Sequence, residues 1–187
     1  SPQESKHRHT NYGRRIKSMD IKKYLDVLSK KQQFSILKLV NKKLTRIPGC
    51  PGLQTHPDLH HYQELEPLIV KINKYTTGKF KIIKCWANHT DGSYISWHTH
   101  NSDLSIVYYL KNKESIGTVF CINNKIISLK SLENSLIIFD SKIIHSVPSI
   151  YPGDIEKGKP KINRYSIAFE LSVKIKTIFG DITSPKM

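Results

Sequence analysis

The spacing of apolar positions changes near residue 78 and divides the chain in two. Before it, Ile21, Tyr24, Leu25, Leu28, Phe34 and Leu37 recur at intervals close to a helical turn. That spacing predicts one or two helices between Met19 and Pro48, with Asp20 as the N-cap. The run Ile47-Pro48-Gly49-Cys50-Pro51-Gly52 is turn chemistry and forms a joint. A second helix is expected from about Pro57 to Tyr75. Its apolar stripe is Leu65, Leu68, Ile69 and Ile72, Thr55 and Asp58 have capping-box spacing, and Gly78 closes it.

From Lys79 onward the period shortens. FKIIKCWA, SYISW, LSIVYYL, GTVFCI, KIISL, SLIIFD, IIHSV, RYSIAFELSV and KTIF are short β-rich runs separated by Asn, Asp, Gly, Ser and Lys, as at Asp91-Gly92 and Asn123-Asn124. Regular short strands with turn signals predict an antiparallel sandwich or barrel. Residues 1–18 show no period and read as a basic flexible arm. The expected organisation is a single α+β, mainly β, domain. The arm (1–18) precedes a helical support region (19–78) and a barrel core (79–187), and no fixed-period repeat suggests a solenoid.

Composition narrows the classes. No stretch of 18 consecutive apolar residues exists to form a membrane-spanning helix, and the first 19 residues contain no apolar secretion-signal core. Three widely spaced cysteines, Cys50, Cys85 and Cys121, form no CxxC pair. A reducing intracellular compartment is the expectation. The formal charge is +15, and residues 1–50 carry 13 Lys or Arg against Glu4, Asp20 and Asp26. Such a basic third could attract nucleic acid or an acidic protein, although Lys-, Ile- and Asn-rich composition produces the same charge without selection for binding.

Candidate chemistry begins at Trp97-His98-Thr99-His100. On a strand, positions i and i+2 share a face, so His98 and His100 can point together into a barrel mouth and grip one metal. The same spacing at His7 and His9, in the arm, carries no such expectation. His145 follows the apolar run Leu136–Phe139 and Asp140, where a barrel would deliver a third imidazole. Arg164 stands in an apolar strand, and it is the sole Arg after Arg46 in a chain with 25 Lys and five Arg. A guanidinium offers a planar, two-pronged grip on a carboxylate that an ammonium does not, and Ser166 shares its strand face. A structural ion pair to a buried acid is the competing reading of Arg164. Trp86, Asn88, Tyr94 and Tyr108 are candidate walls, of which Asn88 and Tyr108 can hydrogen-bond a ligand. The loop YPGDIEKGKP, Tyr151 to Pro160, reads as a lid.

Taken in order, WHTHNSDLSIVYYL, SLIIFDSKIIHSV and NRYSIAFEL resemble the double-stranded β-helix core of the Fe(II)- and 2-oxoglutarate-dependent oxygenases. The nearest pattern is that of small bacterial and phage-type members, and the resemblance spans about residues 65–173. It implies that His98 and His145 ligate Fe(II), and that Arg164 with Ser166 holds the distal carboxylate of 2-oxoglutarate. The implied reaction uses O2, releases succinate and CO2, and oxidises a C–H bond. Two positions depart from the family. His100 stands where the superfamily carries a carboxylate, so the expected set is His98, His100 and His145, with Asp103 as the alternative third ligand. Ile106 replaces a usual glycine. Two rival classes are a cupin-like metalloenzyme that uses no 2-oxoglutarate and a basic nucleic-acid-binding module.

Overall fold

The computed structural model describes residues 21–50, 52–90, 95–113, 115–148 and 163–174. The arm, Asp20, the Asp91-Gly92 turn, Tyr94, the loop from Tyr151 to Pro160 and the expected strand KTIF lie outside them. Among the described residues, ten strands form two sheets. They are β1 (Lys22–Tyr24), β2 (Leu53–Gln54), β3 (Phe80–Thr90), β4 (Ile95–His98), β5 (Leu104–Lys111), β6 (Val119–Ile122), β7 (Lys125–Ser128), β8 (Ser135–Asp140), β9 (Ile144–Val147) and β10 (Arg164–Val173). The larger sheet runs β1-β8-β5-β10-β3-β2 and the smaller β4-β9-β6-β7. From β3 onward the chain passes repeatedly between the sheets, and every strand pair is antiparallel. This is the eight-strand jelly roll, or double-stranded β-helix, that the β-rich runs predict.

The N-terminal region departs from its expected pattern. Residues 22–24 are a strand, not a helix, paired to β8 with Lys22 opposite Ile138 and Tyr24 opposite Leu136. Helix α1 (Lys30–Lys43) starts only after Ser29, whose hydroxyl accepts from the Gln32 N–H while the Gln32 side chain accepts from the Ser29 N–H. That capping box satisfies two otherwise orphaned donors and fixes the start. The exposed backbone of β8 meanwhile captures the segment before it. Helix α2 (Glu66–Tyr75) is likewise shorter than expected and is preceded by two 3-10 turns at Leu59–His61 and Gln63–Leu65. Thr55 does not cap it. Its hydroxyl and N–H instead bond the N–H and carbonyl of Ala87 on β3. Gly78, at φ +66°, does close α2, donating to the Asn73 carbonyl.

Two cores result. Ile36, Leu39 and Val40 of α1, Leu68 and Ile72 of α2, and Leu65 pack on the outer face of the six-stranded sheet against Cys85, Ala87, Ile106, Tyr108, Leu136, Ile138, Ile167 and Phe169. Each such aliphatic side chain removed from water stabilises the fold by roughly 1.5–3 kcal/mol. Between the sheets lies a smaller cluster of Tyr109, Phe120, Ile122, Ile137, Phe139 and Ile143. This inner cluster fills one part of the barrel and leaves the other part open. No helix among the described residues is long and apolar enough to cross a membrane.

Candidate active site

Antiparallel pairing of β4 with β9 sets His98 directly opposite His145. His100 follows two residues later, and its N–H donates to the Ser141 carbonyl at 3.0 Å, which holds it beside the start of β9. The ring centroids are 4.3 Å apart for His98 and His145, 4.9 Å for His98 and His100, and 5.1 Å for His100 and His145. One ligating nitrogen from each ring lies within 4.8 Å of the other two.

The three rings are held by their outer nitrogens. Nδ1 of His98 donates to the Ser96 carbonyl at 2.7 Å, and Nδ1 of His145 to the Ile143 carbonyl at 2.8 Å. Nδ1 of His100 lies 3.0 Å from a carboxylate oxygen of Glu170. These bonds fix the tautomer of each ring and leave Nε2 with its lone pair free. Burial pushes the pKa of both His100 and His145 down to about 4, aided by the neighbouring imidazoles and, for His100, by Lys84. The Ile143 carbonyl opposes the shift at His145 without reversing it. Both rings are therefore neutral at pH 7, and the contact of His100 with Glu170 is a hydrogen bond rather than an ion pair. Phe139 meets the His145 ring edge to face at 4.8 Å and completes its packing.

The same cavity, about 130 Å³, is lined by these histidines together with Trp86, Asn88, Tyr109, Thr118, Arg164 and Ser166. Arg164 and Ser166 sit two apart on β10 and face inward. Ser166 pairs with Asn88 on one side and Tyr109 on the other, so a polar row crosses three strands. Arg164 is 4% exposed, donates to the Ile116 carbonyl from one terminal nitrogen at 3.4 Å, and leaves Nε without a partner. No carboxylate pairs with it among the described residues. Burial lowers its pKa from the ordinary arginine value, with Tyr109 acting in the opposite direction. A buried guanidinium with an unused donor beside an open cavity is the arrangement that takes up a ligand carboxylate.

Two sequence expectations need correction. Tyr108 does not face the cavity. It points into the helix-backed core, where its hydroxyl donates to the Asn134 side chain at 2.9 Å. Its neighbour Tyr109 takes the cavity position and bonds the Thr118 hydroxyl and N–H at 2.9 and 3.0 Å. Successive strand residues point to opposite faces, so a step of one residue exchanges core for cavity. Asp103 stands outside the imidazole cluster, because its side chain accepts the Val173 N–H at 2.8 Å and ties the β4–β5 connection to the end of β10. Asn88 does line the cavity, with its side-chain carbonyl accepting from Gln54 at 2.6 Å. Trp86 is also at the wall, whereas the Ile106 side chain packs in the helix-backed core on the opposite face.

Gln54, Tyr109, Thr118 and Glu170 are site residues that sequence reasoning missed. Glu170 carried a readable signal, since it is a charged residue inside an apolar strand, in phase with Arg164 and Ser166. Gly117 is fixed by close approach. A Cβ there would fall 1.6 Å from the Ser131 hydroxyl and 3.0 Å from the Tyr109 hydroxyl, so a side chain would displace the loop that contacts Arg164.

Among solved structures the chain resembles HygX from Streptomyces hygroscopicus with nickel, 2-oxoglutarate and hygromycin B bound, at TM-score 0.67 and 10% identity over 83% of this chain and 84% of that one. It also resembles a 2OG-Fe(II) oxygenase family oxidoreductase from Burkholderia pseudomallei, at TM-score 0.64 and 12% identity over 83% and 85%. A third is the viral collagen prolyl hydroxylase of Paramecium Bursaria Chlorella virus-1, at TM-score 0.61 and 14% identity over 83% and 90%. The fold is that of the 2-oxoglutarate- and iron-dependent oxygenases. At these identities the likeness extends to the fold and no further. No family model and no curated relative matches the sequence.

Proposed function

We propose that the chain is an Fe(II)- and 2-oxoglutarate-dependent dioxygenase. In this reading His98, His100 and His145 hold the metal, and Arg164 with Ser166 binds the distal carboxylate of 2-oxoglutarate. The observation that carries it is the pairing, in one cavity, of three converging imidazoles with a buried guanidinium that has no carboxylate partner among the described residues. Neutral imidazole suits a borderline metal such as Fe(II). A cupin-like site working without 2-oxoglutarate gives no reason to bury Arg164 in that position.

When bound, iron with 2-oxoglutarate and O2 supplies oxidative decarboxylation to succinate and CO2 coupled to oxidation of a substrate C–H bond. The chain's own residues supply geometry. The Nδ1 bonds orient three rings toward one point before any ligand arrives, which reduces the ordering cost of binding. Arg164 and Ser166 fix one end of a dicarboxylate, with Asn88 and Tyr109 flanking Ser166. Trp86, Val107 and Phe139 exclude water from the same space.

The neighbours act on different molecules, with hygromycin B bound in one and collagen prolyl hydroxylation named for another. The charge of this chain favours a macromolecular substrate that is acidic, a nucleic acid or an acidic protein drawn by residues 1–50. Free Cys50, Cys85 and Cys121 suit a reducing, intracellular setting.

The test is anaerobic titration of Fe(II) and then 2-oxoglutarate, followed by absorbance, and succinate release on admitting air. The proposal expects a charge-transfer band on cosubstrate addition and succinate formation that requires both components. Metal binding without any effect of 2-oxoglutarate would favour the cupin-like reading.

A further inference from the structure

We infer that Glu170 is a positioning residue of the metal site and supplies, through His100, the negative charge that this ligand set lacks. The inference rests on the iron-binding reading above. Three neutral imidazoles bring no charge to a divalent metal, whereas a set of two histidines and one carboxylate brings one negative charge. Here His100 occupies the position where the resemblance leads one to expect that carboxylate. It is also the one imidazole of the three whose Nδ1 partner is a carboxylate; His98 and His145 use backbone carbonyls. The negative charge has moved outward by the width of one imidazole ring.

Glu170 is built into this place. It is 6% exposed and lies on β10, with Ser105 of β5 and Lys84 of β3 as its register neighbours. One oxygen is 3.0 Å from His100 Nδ1, and the other is 3.7 Å from Lys84 Nζ. The half-exposed Lys84 offsets the cost of burying the carboxylate when no metal is bound. A carboxylate accepting the N–H of a ligating imidazole raises the basicity of its free nitrogen and fixes the ring plane. Neither effect requires Glu170 to touch the metal.

The experiment measures anaerobic Fe(II) affinity and the Co(II) absorption spectrum of the whole chain, with thermal melting of the metal-free protein alongside. Glu170→Gln keeps an acceptor for His100 and removes the charge. It is expected to weaken metal binding ten- to a hundredfold and to shift the Co(II) bands. In a His100→Asp background the ligand itself carries the charge and no imidazole N–H remains for Glu170 to accept, so Glu170→Gln should weaken metal binding far less than it does in the wild-type background. Unchanged affinity in Glu170→Gln, or an equal loss in both backgrounds, would overturn the inference while leaving the iron reading intact. A wild-type chain that binds no Fe(II) at all would overturn both. Should the Glu170 variants not fold, Lys84→Gln replaces them. Freeing the carboxylate from its cation should tighten metal binding severalfold, and equal or weaker binding would count against the role.

Discussion

On the helix-backed face of the six-stranded sheet, β3, β5, β8 and β10 present Cys85, Ala87, Ile106, Tyr108, Leu136, Ile138, Ile167 and Phe169. On the other face the same strands present Trp86, Asn88, Ser105, Tyr109, Arg164, Ser166 and Glu170 toward the four-stranded sheet. Both faces are largely closed to water, so burial does not distinguish them. They differ in how polar groups are handled. The outer face is apolar and self-sufficient, and its tyrosine hydroxyl is fully engaged by Asn134, which also bonds both backbone groups of Leu28. The inner face contains a guanidinium nitrogen without a partner and looks onto three imidazoles, supplied by β4, β9 and the connection after β4, with unspent lone pairs. A core stabilises by completing its own contacts, and a site keeps some contacts open for a ligand.

The difference predicts that stability and binding separate by face. His145→Ala, on the inner side, should abolish Fe(II) binding, since two remaining ligands cannot form a facial set. Isothermal titration under anaerobic conditions would show it. Phe169→Ala, on the outer side, should cost about 3–5 kcal/mol in urea unfolding while the folded fraction binds metal as wild type does. A loss of metal affinity in Phe169→Ala equal to that in His145→Ala would dissolve the distinction.

Acid should attack the inner face first. His100 and His145 have native pKa values near 4 against an ordinary 6.5, so the unfolded chain binds more protons between those limits. The stability they permit is whole above about pH 6.5 and is lost as pH falls toward 4. Urea melts of the metal-free protein should show stability falling over that window, by on the order of a few kcal/mol for the two rings together. A His100→Gln variant should flatten part of the slope.

Arg164→Lys should weaken 2-oxoglutarate binding by roughly 1.5–3 kcal/mol, about ten- to a hundredfold, with Fe(II) affinity nearly unchanged. Lysine retains the charge but loses the two-pronged geometry. Equal cosubstrate affinity in the two proteins would make Arg164 structural. The smallest effect compares adjacent residues. Tyr108→Phe should lower stability by about 1 kcal/mol without touching 2-oxoglutarate affinity, because it removes one hydrogen bond from the outer core. Tyr109→Phe should affect cosubstrate affinity, because its hydroxyl holds Thr118 beside Arg164. Reversal of that pattern would invert the assignment of faces.

The sequence alone determined the β-rich core, the order of its eight strands, and the pairing of His98 with His100. These depend on period and on near neighbours, which the chain order contains. It also singled out His145, Arg164 and Ser166, because each is a polar residue at a fixed phase in or beside an apolar strand. Tertiary structure decided everything that depends on which strand lies beside which. LSIVYYL puts Tyr108 and Tyr109 on opposite faces, but both faces are buried, so only the packing of α1 and α2 against one of them selects Tyr109 for the cavity. Asp103 lies three residues past His100, and only its bond to the Val173 N–H, 70 residues away, removes it from the metal cluster. The strand at Lys22–Tyr24 has helical spacing and is a strand because the edge of β8 offers it hydrogen bonds. Glu170 becomes part of the site only when β10 brings it within 3.0 Å of a histidine 70 positions earlier. Local patterns record what a residue prefers, and long-range pairing determines what it meets.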